Sequence, residues 1–200
     1  MQTFKACLIA AGLVLAACTP GSNPTSSAPT AIKISGGLVI AGAKGWCIDG
    51  QTSRTTGPAA VVVLGSCASL SGNAFLPRAP VPGIVTVSVD SRITGGLLPG
   101  TLKTLLLTDA GRAALARDGQ SQSVKILETQ TLDDALYVHL TDSSKLPKNT
   151  ATDYWRALFD IGGRLVSVSL SGTAQNAIAR DKGLLVLQGQ IARLRAANRG

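Results

Sequence analysis

Histidine and glutamate are almost missing from this 200-residue sequence, and aromatic residues are scarce. His139 is the only histidine, Glu128 is the only glutamate, and phenylalanine, tyrosine and tryptophan make up 4% of the chain. A metal site draws three or four ligands from histidine, cysteine and carboxylates, so the shortage of histidine argues against a metal. With few aromatics, the core must be filled by leucine, valine, isoleucine and alanine.

Motifs of the common catalytic classes are also missing. The segment GGLLPGT has the glycines of a phosphate-binding loop but lacks its lysine, and no Gly-x-Ser-x-Gly segment marks a nucleophilic serine. Three aspartates stand at predicted strand ends, where this residue usually caps turns: Asp49, Asp90 and Asp160. The sequence therefore predicts no cofactor and favours a non-catalytic domain; the alternative is a hydrolase that uses carboxylates or an unrecognised serine.

The N-terminus has the pattern of an export signal. Lys5 precedes twelve small or apolar residues, 6–17, a run too short for a membrane-spanning helix, which needs about 20. The region ends in four residues that resemble the lipobox of bacterial lipoproteins: Leu15, Ala16, Ala17 and Cys18. This resemblance implies cleavage before Cys18 and acylation of that residue, and two or more acyl chains anchor a protein stably. The alternative is an ordinary secretory signal with an incidental cysteine.

The residues after Cys18 predict where the protein is held. The lipoprotein resemblance points to the periplasmic side of the outer membrane, because Thr19 stands where aspartate would favour retention at the inner membrane. Residues 19–30 are rich in proline, serine and threonine, a composition typical of a flexible tether. We therefore divide the chain into a signal peptide (1–17), a lipidated cysteine with a disordered tether (18–31) and a single periplasmic α+β domain (32–200).

The net charge is positive, and it favours anionic partners. Removal of Lys5 with the signal lowers the formal charge from +8 to +7. Export argues against nucleic acid, so the predicted partners are the lipid bilayer, through acylated Cys18, and an envelope protein or an anionic envelope surface. The alternative is that the positive charge merely keeps the domain soluble.

The cysteines predict one disulfide. Cys7 leaves with the signal and Cys18 is acylated, which leaves Cys47 and Cys67, 20 residues apart. In an oxidising compartment such a pair is expected to be bonded. The bond would stabilise the domain by about 3 kcal/mol in the chain-entropy account.

Hydrophobic periodicity predicts an α+β fold, a mostly antiparallel sheet covered by helices. We expect strands over 36–42, 59–67 and 84–90, helices over 100–107 and 108–119, hairpins over 123–143 and 153–172, and a C-terminal amphipathic helix over 180–200 capped by Asp181. The element order resembles the PsbP-like sandwich. The segments GWCID, LGSCA, GRAALARDG and YWRALFDIGGRLVSVSLSG resemble small uncharacterised lipoproteins of Gram-negative bacteria, and that resemblance implies no activity.

Two turn signals predict the registers of the hairpins. A Gly162-Gly163 turn places three apolar pairs on one face: Phe159 with Val166, Ala157 with Val168, and Trp155 with Leu170. An Asp133-Asp134 turn predicts three further pairs: Leu127 with Leu140, Thr129 with Val138, and Glu128 with His139. The Glu128–His139 pair is either an exposed ion pair contributing about 0.2–1 kcal/mol or a contact that responds to histidine protonation.

The sequence therefore predicts a membrane-anchored, non-catalytic envelope lipoprotein with a binding or structural role in the periplasm. The alternatives are a periplasmic hydrolase and a small-ligand binder with an unrecognised site.

Overall fold

The computed structural model describes residues 27–94, 98–145 and 149–199. These residues form nine strands: β1 (Ala31–Lys33), β2 (Val39–Ala41), β3 (Trp46–Arg54), β4 (Ala59–Ser66), β5 (Gly83–Thr94), β6 (Val124–Leu132), β7 (Ala135–Asp142), β8 (Thr150–Ile161) and β9 (Arg164–Thr173). They also form four α-helices: α1 (Cys67–Ser71), α2 (Pro99–Leu106), α3 (Asp109–Leu115) and α4 (Arg180–Ala197). A short 3₁₀ helix covers Ser121–Ser123.

Seven of the strands form one antiparallel sheet in the order β3-β4-β5-β9-β8-β7-β6. The remaining two, β1 and β2, pair with each other in a small antiparallel ribbon. Together with the C-terminal helix, this arrangement confirms the predicted α+β class. The central pairing of β5 with β9 joins strands far apart in the chain, so the fold depends on contacts that no local signal reports.

The β8–β9 hairpin has the predicted register. The three apolar pairs are present, as is the pairing of Arg156 with Ser169 on the other face. Gly162 and Gly163 have φ of 60° and 76°, the left-handed backbone that a two-residue hairpin turn requires. Glycine adopts this conformation without steric cost.

The β6–β7 hairpin follows the prediction only near its turn. Asp133 and Asp134 have φ of 46° and 58°, and Thr129 pairs with Val138. The predicted pairing of Leu127 with Leu140 is wrong, because Ile126 occupies that place in the ladder. An extra residue at position 127 forms a β-bulge, which shifts the register of everything beyond it.

The two faces of the sheet are covered differently. On one face α4 and the β1–β2 ribbon enclose the larger core, which includes every second residue over part of β5: Val85, Val87 and Val89. On the other face α2 and α3 cover β7 and its neighbours, with Leu102 and Leu106 buried in a second cluster.

Several element boundaries differ from the prediction. Thr108 caps α3, since its hydroxyl accepts a hydrogen bond from the Gly111 N–H at 3.1 Å, but the helix ends at Leu115, before Gly119. Ala179 is the N-cap of α4, so Asp181 lies in the first turn and does not cap it. Strands β1 and β3 were not predicted, because β1 is short and β3 loses its apolar pattern after Ile48.

Candidate functional site

An open cleft lies between α4, the turn that joins β2 to β3, and the loop after α1. Its volume is about 590 Å³. Its floor is apolar, and Trp46 within it is only 1% exposed. The described residues that line it are Ala43, Lys44, Trp46, Arg78, Pro80, Leu185, Val186, Gly189 and Arg193. All three charged members of this set are cations with exposed side chains, and none is acidic.

A tight turn positions Lys44 at one wall. The Trp46 N–H donates to the Ala43 carbonyl at 2.9 Å, which closes the turn. Gly45 has a φ of +88°, and a Cβ there would lie 2.2 Å from the Arg78 carbonyl oxygen. Glycine is therefore required both by the left-handed backbone and by the close approach of the loop that carries Arg78.

The side chain of Gln190 holds this turn against α4. Gln190 is fully buried; its carbonyl oxygen accepts from the Ala43 N–H at 2.9 Å, and its amide donates to the Ala41 carbonyl at 2.7 Å. Asn198 makes the same pair of contacts with the backbone of Val39. The side-chain amides of Gln190, inside α4, and of Asn198, the residue after it, thus continue the hydrogen bonding of β2 and set the distance between Lys44 and the helix.

The loop that carries Arg78 is fixed on both sides of that residue. The Ala68 N–H donates to the Pro77 carbonyl at 3.3 Å, and the Ala79 N–H donates to the Ser66 hydroxyl at 3.3 Å. The predicted disulfide between Cys47 and Cys67 is present beside this loop, with Cα atoms 4.9 Å apart.

The third wall is one face of α4. Leu185, Gly189 and Arg193 are spaced by four residues and therefore lie on the same side of the helix. A Cβ at Gly189 would meet no atom within 4 Å. Packing does not require glycine here, and its missing side chain leaves the cleft open.

The N-terminal end of the described chain runs beside the cleft. A second cleft of about 390 Å³ shares Lys44, Trp46 and Arg193 with the first and is also lined by Ser27 and Ala28. The Ile48 N–H donates to the Pro29 carbonyl at 2.7 Å, and the Gly42 N–H donates to the Thr30 carbonyl at 2.8 Å. Residues 29–31 therefore belong to the folded domain and not to the predicted tether of 18–31. Cys18 lies outside the described residues.

Glu128 and His139 face each other in the ladder between β6 and β7, but each makes its closest polar contact elsewhere. The Glu128 carboxylate accepts hydrogen bonds from the Arg180 guanidinium, which lowers the pKa of Glu128. His139 Nε2 lies 3.3 Å from Asp153 Oδ2, and its ring stacks on Trp155 with 4.5 Å between centroids. These contacts link the sheet to α4 at Arg180.

Of the three aspartates predicted at strand ends, only Asp160 lies at one, next to the last residue of β8, whereas Asp49 and Asp90 lie inside β3 and β5. Each binds groups two or three residues further along the chain. Asp49 accepts a hydrogen bond from the Thr52 hydroxyl at 2.7 Å, which lowers its pKa. The Arg92 side chain binds Asp90 and lowers its pKa to about 2, and Asp160 accepts from the Gly163 N–H at 2.9 Å. Over the described ranges, no three histidine, cysteine or acidic residues are grouped to hold a metal ion. No helix in the part of the chain that the structure describes is long and apolar enough to cross a membrane.

Neither a protein-family model nor a curated protein matches this sequence. The chemistry of the cleft therefore carries the functional interpretation. Its apolar floor and cationic rim suit a ligand that has both an anionic group and an apolar part. The sequence did not reveal this site, because Lys44, Arg78 and Arg193 come from three separate segments. The only local indication was the tight turn at Lys44-Gly45.

Proposed function

We propose that this protein is a membrane-anchored, non-catalytic envelope lipoprotein whose domain binds an anionic, partly apolar component of the bacterial envelope. Anchoring through acylated Cys18 and residence at the outer membrane belong to this proposal and rest on the lipobox resemblance. We also propose that the domain is PsbP-like in fold, because the order of its strands and helices is similar to that of PsbP-like domains.

The clustering of Lys44, Arg78 and Arg193 around the cleft is the observation that carries the proposal. Each of these side chains is exposed and lines the same apolar cavity. An anion at the mouth of the cleft would interact favourably with all three, and low-dielectric walls strengthen that attraction. An apolar group attached to the anion would cover Trp46 and Val186.

Crosslinking in intact cells tests the binding role. A photoreactive amino acid replaces Leu185 at the cleft wall, and a matched control replaces Leu107 at the end of α2; both residues are 65% exposed. We expect an anionic envelope component to be captured from position 185 and not from position 107. Equal capture at both positions, or none at 185, would contradict binding in the cleft.

A separate experiment tests the anchor. Cys18→Ala should leave the protein unprocessed or free of the membrane, because acylation and cleavage both use that residue. Mass spectrometry of the mature N-terminal peptide should show acyl chains on Cys18. An unmodified thiol there would contradict the lipoprotein proposal.

A further inference from the structure

We infer that the anionic group bound in the cleft is the headgroup of a phospholipid in the membrane that holds Cys18, so that the domain docks on the bilayer through this face. The inference rests on the proposed function, and it adds the identity of the ligand class and the orientation of the domain.

The path of the chain places this face toward the membrane. Pro29 and Thr30 are hydrogen-bonded to the domain beside Lys44, so the connection to the anchor begins at the cleft. The roughly ten residues between Cys18 and Pro29 reach about 35 Å when fully extended and about 20 Å as a flexible coil. The cleft is thus held close to the bilayer, where the effective concentration of lipid headgroups is high.

The charge of this face suits an anionic bilayer. Lys44, Arg78 and Arg193 surround the cleft, and its lining has no carboxylate. Basic side chains within a Debye length of anionic lipids are attracted to the surface, and Arg binds phosphate oxygens through two parallel hydrogen bonds. A phosphate in the cleft would therefore meet donors on three sides.

One exposed apolar side chain, Leu185, lines the same cleft, and a second, Phe75, lies three residues before Arg78 in its loop. Phe75, in the loop that carries Arg78, is 99% exposed, and Leu185 at the cleft wall is 65% exposed. Single exposed apolar residues are common on protein surfaces, but apolar side chains beside basic ones are the pattern of proteins that bind at the membrane interface. Phe75 and Leu185 would enter the interface while the cations hold headgroups.

A fluorescence experiment on the processed, acylated protein reconstituted in vesicles tests the docking. Phe75→Trp supplies a reporter, and the unsubstituted protein gives the background from Trp46 and Trp155, which are both buried. The vesicles contain brominated phosphatidylcholine, either alone or with one quarter phosphatidylglycerol. We expect at least twofold stronger quenching of the reporter when phosphatidylglycerol is present.

Charge variants show whether the cleft cations cause this difference. Combining Lys44→Gln, Arg78→Gln and Arg193→Gln should abolish the dependence on phosphatidylglycerol. The matched control combines Lys103→Gln, Lys125→Gln and Lys145→Gln, which removes the same charge from other exposed positions and should leave the quenching within about a factor of 1.5. An equal loss in both triple variants would overturn the assignment to the cleft.

A substitution at Gly189 distinguishes a headgroup bound inside the cleft from general electrostatic attraction of the domain to the membrane surface. Gly189→Phe should place a ring in the open cleft and reduce the phosphatidylglycerol-dependent quenching at least threefold, whereas Gly100→Phe, which adds the same ring at an open position of α2, should preserve it. Both substitutions replace a helical glycine with a better helix former, so loss of the helix would not explain a difference. Retained quenching in Gly189→Phe would overturn binding inside the cleft.

Flotation of the same vesicles distinguishes failure of this inference from failure of the proposed function. Protein that floats with the vesicles, but whose reporter is quenched equally with and without phosphatidylglycerol, would overturn docking and leave the anchor intact. Protein that does not float would contradict the anchor itself.

Discussion

Gln190 connects the C-terminal helix to the edge of β2 through two hydrogen bonds. It is fully buried, and it pairs with backbone groups of Ala41 and Ala43. A buried backbone group that loses its partner keeps its full desolvation cost. This one amide therefore supports both the fold and the wall of the cleft that carries Lys44.

Replacing Gln190 with leucine should destabilise the protein by about 2–4 kcal/mol, because the buried Ala41 carbonyl and the part-buried Ala43 N–H would lose their partners while the volume stays similar. Urea unfolding gives the free energy. Gln188→Leu, a partly exposed position on the same helix, is the control and should change stability by no more than about 0.5 kcal/mol. A loss at position 190 as small as in the control would contradict the role assigned to the amide.

Asp142 is a completely buried acid that is held in its ionised form. Burial by itself raises its pKa, but hydrogen bonds from the Ser144 hydroxyl and from the N–H groups of Arg117 and Ser144, together with the Arg117 charge, outweigh burial. The pKa of Asp142 is therefore lowered. The carboxylate ties the segment after α3 to the end of β7.

Asp142→Asn should cost about 2 kcal/mol at pH 7, since hydrogen bonds to a charged group are lost. The folded pKa lies below the unfolded value near 4, so the stabilisation is complete above about pH 5 and fades as the pH falls through the folded pKa. Urea unfolding at pH 7 and pH 3 should show the gap between variant and wild type narrowing in acid. A gap that stays constant would mean that ionisation of Asp142 does not stabilise the fold.

At the scale of elements, α4 contains two glycines whose surroundings differ. A Cβ at Gly183 would lie 2.4 Å from the Trp155 indole, whereas a Cβ at Gly189 would meet open space. Both positions are inside the helix, where glycine is less favourable than alanine by about 1 kcal/mol. Contact with the sheet therefore requires the first glycine, and helix formation alone would favour alanine at the second.

Gly183→Ala should destabilise the protein by about 1–3 kcal/mol through overpacking against Trp155. Gly189→Ala should stabilise it by about 0.5–1 kcal/mol through helix propensity. Denaturant unfolding of both variants under one set of conditions measures the two effects, and shifts of the same sign would contradict the distinction. The pair serves as its own control, because the chemical change is identical.

For the molecule as a whole, the disulfide joins the start of β3 to the start of α1, next to the cleft. Cys47→Ser and Cys67→Ser should each destabilise by a similar amount, about 2–5 kcal/mol, because each removes the same bond. Equilibrium unfolding measures the loss, and thiol labelling should find neither cysteine free before reduction. Clearly unequal losses would mean that one cysteine has a further role.

Features that depend on neighbouring residues were predictable from the sequence. The Gly162-Gly163 and Asp133-Asp134 turns, the alternation in β5 and the apolar stripe of α4 all follow from backbone conformation and from periods of 2 or 3.6 residues. Where a turn and the alternation of its strands agreed, as in the β8–β9 hairpin, the register was correct.

The sequence by itself determined the α+β class, both hairpin turns and the pairing of Cys47 with Cys67, because each depends on local pattern or on composition. Only the tertiary structure decided the bulge at Leu127, the partners of Glu128 and His139, and the cationic cleft. Arg180 reaches Glu128 across 52 positions of the chain, and Gln190 reaches Ala43 across 147. Contacts over such separations follow from how the sheet and helices pack, which hydrophobic periodicity does not encode.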